Sequence, residues 1–253
     1  YVAAAALVLG LIGLVRLEPR TLHVSPNGHS PEDRSSWRSL IGGVIANPQA
    51  RRFFLYLTIL LAAILGQDVL LEPYAAEAFD LPVRVTTRIT AIWGTFFLIS
   101  LGAANFLERR MTKRRVARTG AVIAIAGFVL IAASGPLGMQ AVFYAGVVLL
   151  GLGTGLSTVS NLSLMLDMTT TRVGLYMGAW GIANAMSRLI GNVMGGAVRD
   201  TITFLTQNPV GGYVFVFVVE AVLLVISLLI LRKIDVGTFR RQAEVSMTDR
   251  VAM

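Results

Sequence analysis

Phe53-Phe-Leu-Tyr-Leu-Thr-Ile-Leu-Leu-Ala-Ala-Ile-Leu65, followed at once by Gly66-Gln-Asp-Val-Leu-Leu-Glu-Pro-Tyr74, decides how this chain is read. The first block suits hydrocarbon. The second sets two acids, Asp68 and Glu72, at its far end. While a helix lasts, their four-residue spacing puts them on one face. An acid at mid-membrane costs on the order of 3 kcal/mol even on lenient scales, and less near the interface. Two on one stripe therefore point to a polar pocket, a partner cation or a proton path. The plainer reading ends the helix here, because Pro73 disfavours helix at Glu72 and lets the acids face water.

Composition agrees with a membrane setting. The chain has 253 residues, 55% apolar and 14% charged, with a mean hydropathy of +0.71, too apolar for a soluble domain of this length. Runs of about 20 apolar residues, enough to cross a bilayer, can be drawn at Phe53–Leu71, Ile89–Leu107, Thr119–Ser134, Gln140–Leu166, Gly174–Val198 and Gly212–Leu231. Pro136-Leu137-Gly138 supplies a tight uncharged turn between the third and fourth. A further run, Tyr1–Val15, is too short to span the ~30 Å core and follows no basic leader. It is expected to be the end of a truncated helix, which makes the chain a fragment.

Charge placement sets the expected topology. Eighteen of the 22 Lys and Arg residues fall in alternate connectors and the tail, against Arg84, Arg88 and Arg199 on the other side and Arg188 inside a span. That asymmetry is the positive-inside pattern, and it puts residues 16–52 and the tail in the cytoplasm. The formal charge of +8 is thus a topology signal, which argues against nucleic-acid binding. The expected organisation is the end of a truncated helix at 1–15, a cytoplasmic connector at 16–52, a six-helix transmembrane bundle at 53–231 and a cytoplasmic tail at 232–253. The fold class is an all-α membrane protein, the C-terminal half of a twelve-span transporter made of two six-helix halves.

Chemistry-bearing groups are few. Cysteine is absent, and the two histidines, His23 and His29, share one polar connector, so disulfides, thiolate metal sites and histidine clusters within the spans are excluded. Gly151-Leu-Gly-Thr-Gly155 lies in an apolar span and follows no strand, unlike a nucleotide fingerprint. With no nucleophile–base or metal constellation, an enzyme is not expected. In the fifth span Trp180, Asn184, Arg188 and Asn192 recur every four residues. An arginine this deep needs a cavity or an acid; Asp68, Glu72 and Glu77 are its candidate partners. The small-xxx-small pairs Gly151/Gly155, Gly174/Gly178 and Gly191/Gly195 favour close helix approach and leave flat surfaces for a planar ligand. Arg84 and Arg88 are expected to neutralise the acids of the first outer loop.

The connector Gly102-Ala-Ala-Asn-Phe-Leu-Glu108-Arg109-Arg110, followed by Lys113-Arg114-Arg115, resembles the loop signature of the major facilitator superfamily. The resemblance gives Gly102, Glu108 and Arg109 the role of a conformational loop that locks helix ends on the cytoplasmic side. Gly66–Tyr74, Thr86-Thr-Arg-Ile-Thr-Ala-Ile-Trp-Gly94, Gly151–Gly155, Met165-Leu-Asp-Met-Thr169 and Gly174-Leu-Tyr-Met-Gly-Ala-Trp-Gly181 occur in that order. Together they resemble the PucC/LhaA family, the bacteriochlorophyll delivery branch of that superfamily, from about Arg51 to Leu231.

The resemblance implies a light-harvesting antenna assembly factor that binds (bacterio)chlorophyll and delivers it to nascent antenna polypeptides. It implies no intrinsic cofactor, only transient pigment. Antenna polypeptides, the pigment or its synthase, and the lipid bilayer are the implied partners. The implied location is a multi-pass inner membrane (cytoplasmic, intracytoplasmic or thylakoid) with the C-terminus in the cytoplasm. The candidate pigment- or substrate-binding set, inferred from this sequence, is Gln67, Asp68, Glu72, Tyr74, Trp93, Trp180, Asn184, Arg188 and Asn192. No span offers a histidine to the pigment's magnesium, so Gln67, Asp68, Glu72, Asn184 or a water would supply the oxygen that this hard cation accepts. Two alternatives stand beside this: a proton-coupled transporter of a small solute, and an assembly chaperone that holds no pigment.

Overall fold

The protein is described here by a computed structural model covering residues 48–168 and 173–233. The expected helix end at 1–15, nearly all of the connector and nearly all of the tail lie outside the described residues. Among them the structure is helical throughout: α1 (Pro48–Gly66), a 3-10 turn (Gln67–Val69), α2 (Leu71–Phe79), α3 (Val83–Arg110), α4 (Lys113–Leu137), α5 (Gln140–Met168), α6 (Val173–Thr206) and α7 (Pro209–Leu231). The chain is an all-α membrane protein. Five of these helices, α1, α3, α4, α5 and α7, are long and apolar enough to cross a bilayer. α6 has the length, 34 residues, but Asn184, Arg188 and Asn192 dilute its apolar character.

Most helices outrun the apolar runs drawn from sequence, because helices continue into the polar interface where basic side chains reach water. α4 starts at Lys113, six residues before the expected Thr119, and Thr112 caps it by accepting from the Arg115 amide at 3.4 Å. α1 is helical from Pro48 on among the described residues, so it includes residues of the expected connector. The turn after α4 is the one expected: Gly138 closes the helix at φ 63°, a left-handed conformation that glycine adopts without strain.

Packing interleaves two triplets, α1-α3-α4 and α5-α6-α7. α3 lies on α5, α1 on α6, and α4 and α7 on each other, while α4 also pairs with α5 and α1 with α7. Exchanging the triplets maps these pairs onto one another, but α6 also packs on α7 while the corresponding α3 and α4 scarcely touch. α3 is peripheral: 17% of its apolar window is buried, against 56% for α1 and α5. The core is lined by Tyr56, Leu60, Tyr74, Phe128, Phe143 and Phe217.

The tightest seam is α4 against α5. Gly120 and Gly127 face Gly153 and Gly146 across it. A Cβ on Gly120 would stand 2.7 Å from the Ser157 amide nitrogen, and one on Gly127 2.7 Å from that of Leu150. Only glycine lets the backbones meet this closely. Beside the seam, Asn161 donates to the Ser157 carbonyl at 2.7 Å and accepts from Tyr56 Oη of α1 at 2.7 Å, while the buried Ser157 and Ser160 hydroxyls have no partner among the described residues.

Candidate functional site

The second close crossing lies where α1 ends. Gly66 meets Gly191 of α6; a Cβ on Gly191 would sit 2.6 Å from the Ala62 carbonyl oxygen and 2.9 Å from Gly66 Cα. Beyond Gly66 the chain tightens into the 3-10 turn and then restarts as α2. Pro73 falls in the first turn of α2, where its missing amide costs no hydrogen bond. Neither expectation for this stretch holds as drawn. The helix neither stops at Pro73 nor continues unbroken, so Asp68 and Glu72 do not share a helical face. Asp68 Oδ2 lies 3.4 Å from Arg188 Nη1, whereas Glu72 accepts from the Thr90 hydroxyl on α3.

Arg188 therefore finds one of its expected acids. The pair sits at an open margin, with Arg188 57% and Asp68 31% exposed, so solvent or ligand can reach it. Gln67, itself buried, orients the acid by donating to Asp68 Oδ1 at 2.9 Å.

A third charged group completes the cluster. Glu220 of α7 is 4% exposed, and its Oε1 would be 2.8 Å from a Cβ on Gly66. Asp68 is near enough to act on it electrostatically. Glu220 itself makes no ion pair among the described residues. Gln67 Oε1, Asn192 Oδ1 and Glu220 Oε2 are buried with no hydrogen-bond partner among the described residues. Gln67 and Asn192 directly follow the two glycines of the crossing, and Glu220 lies against the first. Three acceptors without a donor are costly in low dielectric. A water, a proton on Glu220 or a ligand's own donor would relieve them. Glu220 was absent from the sequence-derived set, although a lone acid inside Gly212–Leu231 is a signal that intramembrane acids are rare and tied to function.

Beside Arg188, α6 presents an open strip. Gly178 and Gly181 have no atom within 4 Å of a would-be Cβ, and Ile182 and Leu189 are exposed. Trp180 and Asn184 are half-buried at its edge. The expected polar face thus exists, with an apolar, flat neighbour. The small pairs divide: Gly191 and Gly195 pack on α1 and its exit, Gly151 and Gly155 on α3, and Gly178 is open.

Tyr74 and Trp93 lie apart from the cluster. Tyr74 is fully buried; its hydroxyl donates to the Ile131 carbonyl at 2.9 Å and accepts from the Gly135 amide at 2.8 Å. Its ring packs among Phe79, Phe143, Tyr213 and Phe217. That is an anchor for α2. Trp93 stacks on Phe97, centroids 5.2 Å apart, and its buried Nε1 has no partner among the described residues.

At the basic end, Gly102 faces open space, Arg109 is exposed and Glu108 Oε1 is buried without a partner among the described residues. No ion pair joins Glu108 to Arg109 among those residues. The helix ends are held instead by Lys113, 2.8 Å from Asp167 of α5, and by Arg114, which donates to the Leu231 and Arg232 carbonyls at 2.8 and 2.7 Å. Arg84 and Arg88 are exposed, and neither forms an ion pair with the loop acids among the described residues.

Residues 1–239 match the family described as PUCC protein. The chain is 31% identical over 238 residues to an "Uncharacterized protein in puhA-bchM intergenic region" of Rhodobacter capsulatus, covering 90% of this chain and 50% of that protein. It is 30% identical to "Protein PucC" of Rhodovulum sulfidophilum, over 79% of this chain and 44% of the relative. A "Bacteriochlorophyll synthase 44.5 kDa chain" of R. capsulatus is 29% identical over 85% of this chain and 51% of its own. The chain spans about half the length of these relatives.

Proposed function

The chain belongs to the PUCC protein family, and from that premise we propose that it is part of a photosynthetic membrane protein that holds (bacterio)chlorophyll transiently and passes it to nascent antenna polypeptides. The observation that supports this reading is the α6 margin, where an exposed ion pair stands beside a flat apolar strip. A chlorin offers the matching surface: a planar, apolar macrocycle with polar carbonyls at its rim. The strip at Gly178 and Gly181 takes the ring, Arg188 donates to a rim carbonyl, and Asp68 or a water it holds gives oxygen to the magnesium. A weak oxygen ligand suits cargo that must leave. One relative carries the name "Bacteriochlorophyll synthase 44.5 kDa chain", which supports a link to pigment chemistry. The role proposed here is binding and handover, since the cluster holds acids and a cation but no nucleophile–base pair among the described residues. The proposed site is a multi-pass inner membrane, with the basic end of the bundle in the cytoplasm.

The test is an absorption spectrum of the full-length protein purified in mild detergent from a pigment-making host. A chlorin band near one per protein that falls several-fold in Arg188→Gln supports the proposal. A colourless protein that still copurifies antenna polypeptides overturns it in favour of a chaperone without pigment. The Asp68–Glu220 pair favours one further reading, proton-coupled transport of a small solute. That reading requires pH-gradient-driven flux in proteoliposomes, abolished by Glu220→Gln.

A further inference from the structure

A cavity of about 440 Å³ opens at the basic end of the bundle, between the start of α4 and the end of α7. Arg114, Arg115, Arg118 and Arg232 line it together with Leu228 and Leu231. Arg114 is engaged with the last carbonyls of α7. Arg115, Arg118 and Arg232 are exposed, and no carboxylate pairs with them among the described residues. The positive end of the α4 dipole adds to the same field. Four cations around one hollow call for an anion, and guanidinium forks match phosphate oxygens in particular.

The apolar half of the lining narrows the choice. Arg118 begins a strip on α4 that continues through Val122 and Val129, and Arg232 heads one on α7 through Leu229, Val225 and Val222, all exposed. Helical spacing keeps each strip on one side of its helix. A ligand with a phosphate at the cavity and hydrocarbon along both strips would satisfy every group present. A free phosphate would leave the partly exposed Leu228 at the cavity wall uncovered. We propose that this cavity is a binding site for an anionic phospholipid, its phosphodiester held by Arg115, Arg118 and Arg232 and its acyl chains lying along α4 and α7. Basic hollows between membrane helices suit such headgroups. The site is independent of the pigment proposal, because it lies on other helices and uses none of Asp68, Arg188 or Glu220.

The test uses the full-length protein, delipidated in detergent and mixed with equal amounts of phosphatidylglycerol and phosphatidylcholine, with bound lipid counted by native mass spectrometry. Phosphatidylglycerol adducts should dominate. In Arg115→Gln/Arg118→Gln the apparent affinity for phosphatidylglycerol should fall roughly 30-fold, from about a fivefold loss per cation. The control Arg109→Gln/Arg110→Gln, at the same end but outside the cavity, should bind as the parent does. Arg232→Gln, on the other helix, gives an independent readout if the double variant fails to fold. Equal adducts of the two lipids, or equal losses in the control, would overturn the proposal. Binding of inorganic phosphate that is lost in the cavity variants, without preference between the lipids, would assign the hollow to a free anion and also overturn it.

Discussion

The α4–α5 seam and the α1–α6 crossing are both made by glycines brought into backbone contact, and they put that closeness to opposite uses. In the seam, Gly120, Gly127, Gly146 and Gly153 let two helices meet along their length, and the neighbouring Asn161 both donates and accepts. At the crossing, Gly66 and Gly191 meet at one point, and the surrounding residues are Gln67, Asp68, Arg188, Asn192 and Glu220, three of them with an unmet acceptor. Apart from the Ser157 and Ser160 hydroxyls of α5, which have no partner among the described residues, the seam is finished. The crossing holds polar groups whose partners the described residues do not supply, and such unfinished sites are where function is sought.

The sharpest way to break the contrast is to fill each region. Gly127→Leu drives a side chain into the Leu150 backbone, 2.7 Å from the first added carbon, and should cost about 3 kcal/mol or more. It would show as loss of monodisperse protein on size exclusion, whereas Gly178→Ala, in open space, should stay within about 0.5 kcal/mol of the parent. Tyr74→Phe removes a hydroxyl that ties α2 to α4 and should cost about 2 kcal/mol in thermal unfolding while leaving pigment content unchanged. A drop in pigment would move Tyr74 from scaffold to site. Glu220→Gln should do the reverse, raising stability by about 1 kcal/mol by removing a buried acid beside a second acid, while bound pigment falls several-fold. If that variant is instead less stable, the crossing is as finished as the seam. Thr90→Val should matter least, below about 0.5 kcal/mol, because the Glu72 hydrogen bond it deletes is exposed.

The spans were legible because long apolar runs admit few other folds. α3, α4, α5 and α7 all contain the runs drawn for them, with ends displaced into the interface. The candidate site was legible only in part. The four-residue period put Arg188 and Asn192 on one face of α6, and the helix is unbroken there. The same arithmetic failed for Asp68 and Glu72, because a 3-10 turn intervenes and changes the angle between them. Nothing local announces that turn; the need to bring Gly66 against Gly191 is a tertiary demand. Glu220 was overlooked because Gly212–Leu231 is otherwise so apolar that the run reads as a simple span. The Glu108–Arg109 lock was drawn from a family pattern, while Lys113 and Arg114 find their partners through distant helix ends that no local spacing reveals.

The interleaving of the two triplets also bears on how the bundle is made. α1 is made before the other described helices, yet its main partners are α6 and α7, the last two of them. Until they arrive, Gly66, Gln67 and Asp68 have no α6 backbone to meet, and Glu220 does not yet exist as part of a membrane helix. The polar crossing is therefore among the last parts of the molecule to form, whereas the α4–α5 seam can close as soon as one tight turn has been inserted, a local step of low contact order. A nascent chain halted after α5 would hold a completed seam and no crossing. The crossing can therefore be whole only in molecules whose translation has passed α7.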